Sequence, residues 1–390
     1  MGAEDPLVAA PHEDLERFLG GPGAALPTPF LALAPGVVAA RYRALAAAFP
    51  GARIHYALKA CPEPAVLRVL ARLGAAFDVA GGAEIRLALD AGAEPGALSH
   101  GNPARAPADV AAAAAAGVHR FVTDSAEDVA ELARHAPGAE VLVRVVVSDS
   151  GAATPLFGKF GAAPAEAARL LQAARRRGLR AAGVTFHAGS QQVRPSAYVD
   201  AVAVALTVAA AGGVRCPVLD VGGGFPVPYR TPVPAPAAFA AAIREAVAGA
   251  VAAGVVDGAE LVLEPGRALV AEAGVLRTRV LRVSRRPGVD HRRWVYLDAG
   301  RYRGLAETEN EAISYPVRAP GLAGPTGPVV LAGPTCDGDD VLYRRTPCHL
   351  PLTLRAGDVV DLLSAGAYTA SYASVGFNGF GPLPVHVVDA

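Results

Sequence analysis

From Arg53 to Glu264 the chain alternates a short apolar run with an alanine-rich segment of helical length, until eight apolar runs have passed. The strand-like runs fall at 53–58, 75–79, 97–100, 119–123, 140–147, 181–187, 216–221 and 260–264. Helix-like segments lie between them at about 63–72, 82–91, 105–116, 125–135, 164–177, 196–211 and 236–253. Apolar runs separated by helices pair in parallel, because each crossover returns the chain to the same end of the sheet. Eight of them predict an α/β fold built on a closed (β/α)8 TIM-type barrel; an open doubly wound sheet would not need so many.

After Arg267 the pattern changes. Apolar and polar residues alternate in Val275–Val283, Trp294–Leu297, Val329–Leu331 and Val359–Leu363, with turn-rich pieces between. That period predicts a C-terminal antiparallel β domain. Thr28–Leu33 is also strand-like, so the N-terminus is expected to join it, after a short helix over Pro11–Phe18 and before a helix over Val37–Phe49. The expected division is a barrel at 35–272 and a β-sandwich or β-barrel domain at 1–34 and 273–390. At 390 residues and 52% hydrophobic content the chain can fill both cores.

Composition narrows the partners. Formal net charge is zero and the longest basic run is Arg175–Arg177, which argues against nucleic acid and anionic membranes. No segment has the length and flanks of a membrane span or signal peptide, so a cytoplasmic location is expected. The four cysteines are scattered without a CxxC pair and the nine histidines form no cluster, so no metal is expected.

In a barrel of this class the chemistry gathers at the C-terminal mouth, so the strand-ending residues are informative. In order they are Lys59, Asp78, Asn102, Asp124, Arg144, His187, Gly222-Gly223-Gly224 and Glu264. A lysine closing a buried run either extends to solvent along its stem or is desolvated into an amine able to form a Schiff base. One rim carrying a lysine, a histidine and a glutamate points to an enzyme. The glycine triplet lets backbone N–H groups approach an anion, and Glu264-Pro265-Gly266-Arg267 adds a guanidinium beside it. Phosphate sites between strands seven and eight recur in such barrels, so a phosphate-bearing cofactor is implied. His187-Ala188-Gly189-Ser190 offers a ring to stack and a hydroxyl for the phosphate. In the β domain, Gly333–Asp340 puts the Cys336 thiol and three carboxylates in one loop; alone it reads as a solvated turn. Gly366-Ala367-Tyr368-Thr369 and Phe377-Asn378-Gly379-Phe380 alone read as packing and turns.

Collected in order, Tyr56–Lys59, Phe77–Ala80, Gly101–Pro103, Phe186–Ser190, Asp220–Pro226, Glu264–Arg267 and Gly333–Asp337 resemble the pyridoxal-phosphate-dependent decarboxylases of basic amino acids. These share an alanine-racemase-type barrel, and the resemblance covers roughly residues 26 to 385, closest to ornithine decarboxylases. It implies pyridoxal 5'-phosphate as cofactor, held by Lys59 as a Schiff base. His187 would stack on the ring and Glu264 would pair with the pyridine nitrogen, favouring the cationic ring that serves as electron sink. Ser190, Gly223, Gly224, Gly266, Arg267 and Tyr368 would bind the phosphate, while Asp78 and Arg144 would orient Lys59 and the ring. Cys336 would reprotonate Cα, and Asp337 would pair with the distal ammonium of a small amino acid substrate, beside Tyr368 and Phe377.

The resemblance also implies a homodimer in which Cys336 and Asp337 serve the other subunit, with Lys159 pairing across the interface with Asp340. Asp337, where diaminopimelate decarboxylases usually carry a glutamate, suits a plain diamine-forming substrate. The family's second acid for the distal amine has no clear counterpart: Glu307, Glu309 and Glu311 are near, but Ser314-Tyr315-Pro316 lacks it. Diaminopimelate, or an unusual amino acid of secondary metabolism, is the alternative substrate. A racemase would place an arginine where Glu264 stands, and an inactive regulatory homologue would have lost Lys59, Cys336 or the phosphate glycines.

Overall fold

A computed structural model describes residues 12–156 and 158–388. Residues 1–11, Phe157 and 389–390 lie outside it, and with them the start of the helix expected from Pro11. The chain divides into two compact units. One comprises Ala39–Pro226 and Val233–Ala268; the other comprises Met1–Val38, Val227–Pro232 and Leu269–Ala390. Among the described residues no helix is long and apolar enough to cross a membrane.

The first unit is the expected barrel. Its strands are Arg53–Ala57, Ala76–Val79, Leu98–His100, Arg120–Thr123, Glu140–Arg144, Arg180–Thr185, Val218–Asp220 and Glu260–Leu263. All eight neighbouring pairs are parallel, and the cylinder closes where Val262 pairs with Arg53 and Leu263 with Ile54. The crossover helices start where the chemistry directs. Pro64, Pro107, Pro164, Pro195 and Pro236 each open one, where a preset φ helps and the missing N–H has no partner to lose. Val122, Leu142, Ala182, Val218 and Val262 pack together as a fully buried layer of the barrel. Gly183 is needed between the sixth and seventh strands: a Cβ there would stand 2.0 Å from the Val218 carbonyl oxygen.

Most expected strands overrun by a residue or more, and two of these overruns bear on the rim. The fifth stops at Arg144 rather than 147: the Val145 N–H donates to the Thr185 carbonyl at 2.9 Å, and Val145 then bridges Ala162 outside the barrel ladder. The sixth stops at Thr185, which frees His187 from the sheet.

The second unit is one connected sheet of nine strands. Its axis is Gly274–Arg286, whose near half pairs antiparallel with Phe30–Leu33 on one side and Val359–Leu362 on the other. Its far half pairs with Asp290–Leu297. The N-terminal strand therefore does join this unit. Two pairs are parallel, Phe30–Leu33 with Val385–Val387 and Asp290–Leu297 with Thr326–Ala332, so the sheet is mixed rather than purely antiparallel. Alternation reports which faces are wet, not which way the chain returns. Gly274–Thr278 is buried on both faces and does not alternate in burial at all.

A buried ionic chain ties the helix Glu13–Gly20 to this sheet. Arg277 grips Asp361 with two bonds of 2.8 and 3.0 Å and donates to the Leu19 carbonyl, while Arg318 joins Asp361 to Glu16. Asp361 is wholly buried, so removing Arg277 leaves a charge with one partner in place of two. Arg277→Ala is expected to destabilise the protein by about 3–5 kcal/mol in urea unfolding; a loss under about 1 kcal/mol would mean the chain is incidental.

Candidate active site

The barrel rim gathers the expected charges. The first strand ends at Ala57, and Lys59 follows on a single tight turn, Leu58–Ala60. Lys59 is therefore not desolvated at a strand end, as one reading of the sequence held. Its side chain is 54% exposed, and its Nζ lies 3.1 Å from Oδ2 of buried Asp78. Asp78 lies one residue before the end of the second strand, opposite Ala57 of the first, so strand pairing and one short turn bring the ion pair together. Gly101 makes room for it, since a Cβ there would stand 2.0 Å from Asp78 Oδ1.

Across the mouth, Asp220 and Glu264 form a carboxyl pair joined by a hydrogen bond, which requires a proton between them. Burial, then Asp220 and Asp78, raises the Glu264 carboxyl well above the usual carboxylate range, opposed by Lys59. Burial pushes Asp220 up to about 6, although its Oδ1 accepts the Gly222 N–H at 2.8 Å. His187 is held neutral, its pKa lowered to about 3 by burial and then by Arg144 and Lys59. Its Nδ1 accepts the Gly189 N–H at 3.1 Å. Arg144 itself lies over the Phe160 ring at 5.6 Å.

The seventh and eighth strands lead into a compact backbone cradle. A Cβ on Gly222, Gly223 or Gly224 would fall within 2.5 Å of the carbonyl oxygens of Phe186, Glu264 and Gly189 respectively. Only glycine leaves this backbone bare for an anion. Arg267, buried, donates to Ser190 Oγ at 3.2 Å, and the Tyr198 hydroxyl donates to the Gly223 carbonyl at 2.8 Å. Gly266 lies buried between Glu264 and Arg267.

These residues fit pyridoxal phosphate. Glu264 Oε1 is shut from solvent and has no hydrogen-bond partner. A protonated ring nitrogen would satisfy it and add a cation to Lys59 beside three crowded carboxyls. The glycine cradle with Arg267 suits the phosphate.

Other rim residues serve the fold. Asn102 Oδ1 accepts the Ala104 N–H, and Asp124 Oδ2 accepts the Gly161 N–H at 2.8 Å. Lys159 rests over the Phe160 ring at 4.9 Å.

In the β unit, Asp340 is 2% exposed and binds its own loop, accepting from the Arg301 and Thr335 N–H groups and the Thr335 hydroxyl. Its carboxylate thus staples the loop from within. That staple presents Cys336 and Asp337, both exposed. The Cys336 N–H donates to Asn378 Oδ1 at 3.1 Å, and Tyr302 hydrogen-bonds Asp337 while packing on Phe377 at 4.8 Å. Tyr368 is half-buried with φ of +55°, a conformation rare outside glycine and a mark of a constrained site.

Three residues escaped the sequence reading. Asp220 is one, although its inward parity with Val218 was available; the glycines after it drew the attention. Glu84, its carboxyl raised by burial, accepts the Ala80 N–H at 2.7 Å and feels both Asp78 and Lys59. Tyr198 sits on a helix with no local signal.

The chain is similar to known proteins over nearly its whole length. The family model described as pyridoxal-dependent decarboxylase, pyridoxal binding domain, matches residues 36–271. A lysine/ornithine decarboxylase of Selenomonas ruminantium is 35% identical over 91% of this chain and 88% of its own. A diaminopimelate decarboxylase of Actinosynnema pretiosum is 35% identical over 92% and 83%. The structure of a Vibrio vulnificus lysine/ornithine decarboxylase complexed with cadaverine superposes with a TM-score of 0.84 at 31% identity, covering 98% of this chain and all of that one.

The Asp220 carboxyl gives a test of the pair. Its pKa rises on folding from 3.8 to about 6, so its contribution to stability is present below 3.8 and lost as pH climbs through 6. In cofactor-free protein, Asp220→Asn should therefore gain about 1–3 kcal/mol relative to wild type between those limits. Denaturant midpoints across that range measure it, and a difference that is flat with pH would place the shared proton elsewhere.

Proposed function

The chain belongs to the pyridoxal-dependent decarboxylases, and on that premise we propose that it converts a basic L-amino acid, ornithine first and lysine next, to a diamine and carbon dioxide. The observation that carries this reading is the rim itself: Lys59 paired with Asp78, facing a buried Glu264 whose Oε1 lacks a donor. Bound pyridoxal phosphate supplies the electron sink that stabilises negative charge at Cα when the carboxylate leaves.

The chain's own residues prepare that chemistry. Lys59 would be the amine that holds the cofactor, with Asp78 fixing its position. Glu264, backed by Asp220, would hold the ring nitrogen's N–H. His187, held neutral by burial and then by Arg144, would lie against the ring without adding a competing positive charge. Arg267, Ser190, Gly223, Gly224, Gly266 and Tyr368 hold the phosphate. Cys336 returns a proton to Cα, and Asp337 pairs with the distal ammonium beside Tyr368 and Phe377. We assign these last roles to the partner's active site within a cytoplasmic homodimer, since the staple at Asp340 leaves the Cys336–Asp337 segment exposed.

Asp337 favours a substrate ending in an ammonium. The similarity to a diaminopimelate decarboxylase keeps that amino acid as the second reading. Carbon dioxide release from ornithine, lysine, arginine and diaminopimelate, with cofactor in excess, decides between them. Ornithine and lysine should be consumed and diaminopimelate left; the reverse order would overturn the assignment of Asp337.

Two variants separate the roles. Lys59→Ala should lose the visible absorbance of covalently held cofactor together with turnover. Cys336→Ala should keep that absorbance while kcat falls by about 10²–10⁴-fold, the usual worth of a positioned proton donor. Unchanged amine formation would remove Cys336 from the reaction.

A further inference from the structure

The barrel carries a second cavity, at the end away from Lys59. It has a volume of about 480 Å³ and opens among the starts of the first four strands, lined by Tyr42, Arg53, His55, Leu98, His119 and Arg120 with small residues between. No carboxylate lines it, whereas two arginines, two histidines and a phenol do.

The cations are held in place by acids set behind them. Glu140, 3% exposed, takes Arg120 on one oxygen at 3.0 Å and Arg180 on the other at 2.6 Å. Arg53 pairs with Glu260 at 2.9 Å. Three guanidiniums thus face two carboxylates, leaving an excess of positive charge at this barrel end, with Arg120 and Glu140 buried and the rest more open.

Two lining side chains also keep buried polar atoms without partners. His55, 4% exposed, has an unbonded Nδ1, and Arg120, 7% exposed, an unbonded Nε. Such atoms are costly unless something meets them. The His55 ring registers the same field: burial, then Arg120 and Arg53, lowers its pKa to about 3.

We propose that this cavity binds a small oxyanion, phosphate or carboxylate, through Arg120, Arg53, His55 and His119. The site is separate from the cofactor's phosphate cradle, which lies at the other end of the strands. Planar guanidinium forks held from behind suit both anions, and the two sources differ in charge and shape.

Calorimetric titration of the cofactor-loaded protein tests this, because its own phosphate cradle is then filled. Inorganic phosphate and succinate are titrated separately, and the tighter one names the source. Two variants locate the site. Arg120→Gln removes the buried fork, and binding should weaken about tenfold or more. Gly96→Leu fills the cavity from its edge, where an added Cβ meets only His119 at an ordinary 3.5 Å, and should abolish binding; Gly96→Ala should retain it. Should Arg120→Gln fail to fold, the Gly96 pair decides alone. Absence of binding in wild type, or equal binding in wild type and Gly96→Leu, would overturn the proposal.

Discussion

Closure of the parallel cylinder governs everything else in the barrel unit. Two residue pairs, Val262 with Arg53 and Leu263 with Ile54, join the last strand to the first. Through that seam Glu264 and Lys59 come to one rim although 205 positions separate them in the chain, and Arg53 and Glu260 come to the opposite end. The seam continues one step beyond the strands, where the Ala57 N–H donates to the Pro265 carbonyl at 3.1 Å. Parallel pairing makes all eight strands point the same way, so chemistry placed at strand ends needs no long loop to assemble.

The rim is electrostatically incomplete by itself. Asp78, Asp220 and Glu264 crowd a desolvated space, with Lys59 paired to Asp78 and its charge also felt by Glu264. The protein tolerates this by keeping a proton on the Asp220–Glu264 pair. A cationic ring nitrogen removes the frustration, so the cofactor is recognised by a charge deficit as much as by shape. Strain of this kind, held at a functional site by the surrounding fold, is the expected place for local rules to fail.

Much of this was legible in the sequence, for identifiable reasons. The eight strands, their crossover helices, the family and its cofactor follow from periodicity and from motifs that tolerate little change, such as the glycines a Cβ would drive into neighbouring carbonyls. What the sequence concealed was tertiary. Lys59 looked like a buried strand residue because its apolar neighbours are buried; the turn at Leu58–Ala60 lifts it out. Asp340 reads in sequence as one acid of a solvated turn, yet it is buried and accepts three hydrogen bonds from its own unit. The direction of two β-strand pairs depended on long returns that no local pattern encodes. Asp220 and Glu84 gain their meaning only from what stands opposite them.

The long strand Gly274–Arg286 has an implication for how the β unit comes apart. Its near half is shared by strands from the N-terminus and from residues 359–362, and its far half by the hairpin partner at 290–297. Neither half can lose its central member without stripping the other of a neighbour. Segments distant in sequence are thereby bound to a common fate, and the unit's amide protons should become labile as a single cohort rather than fraying in from the chain's end.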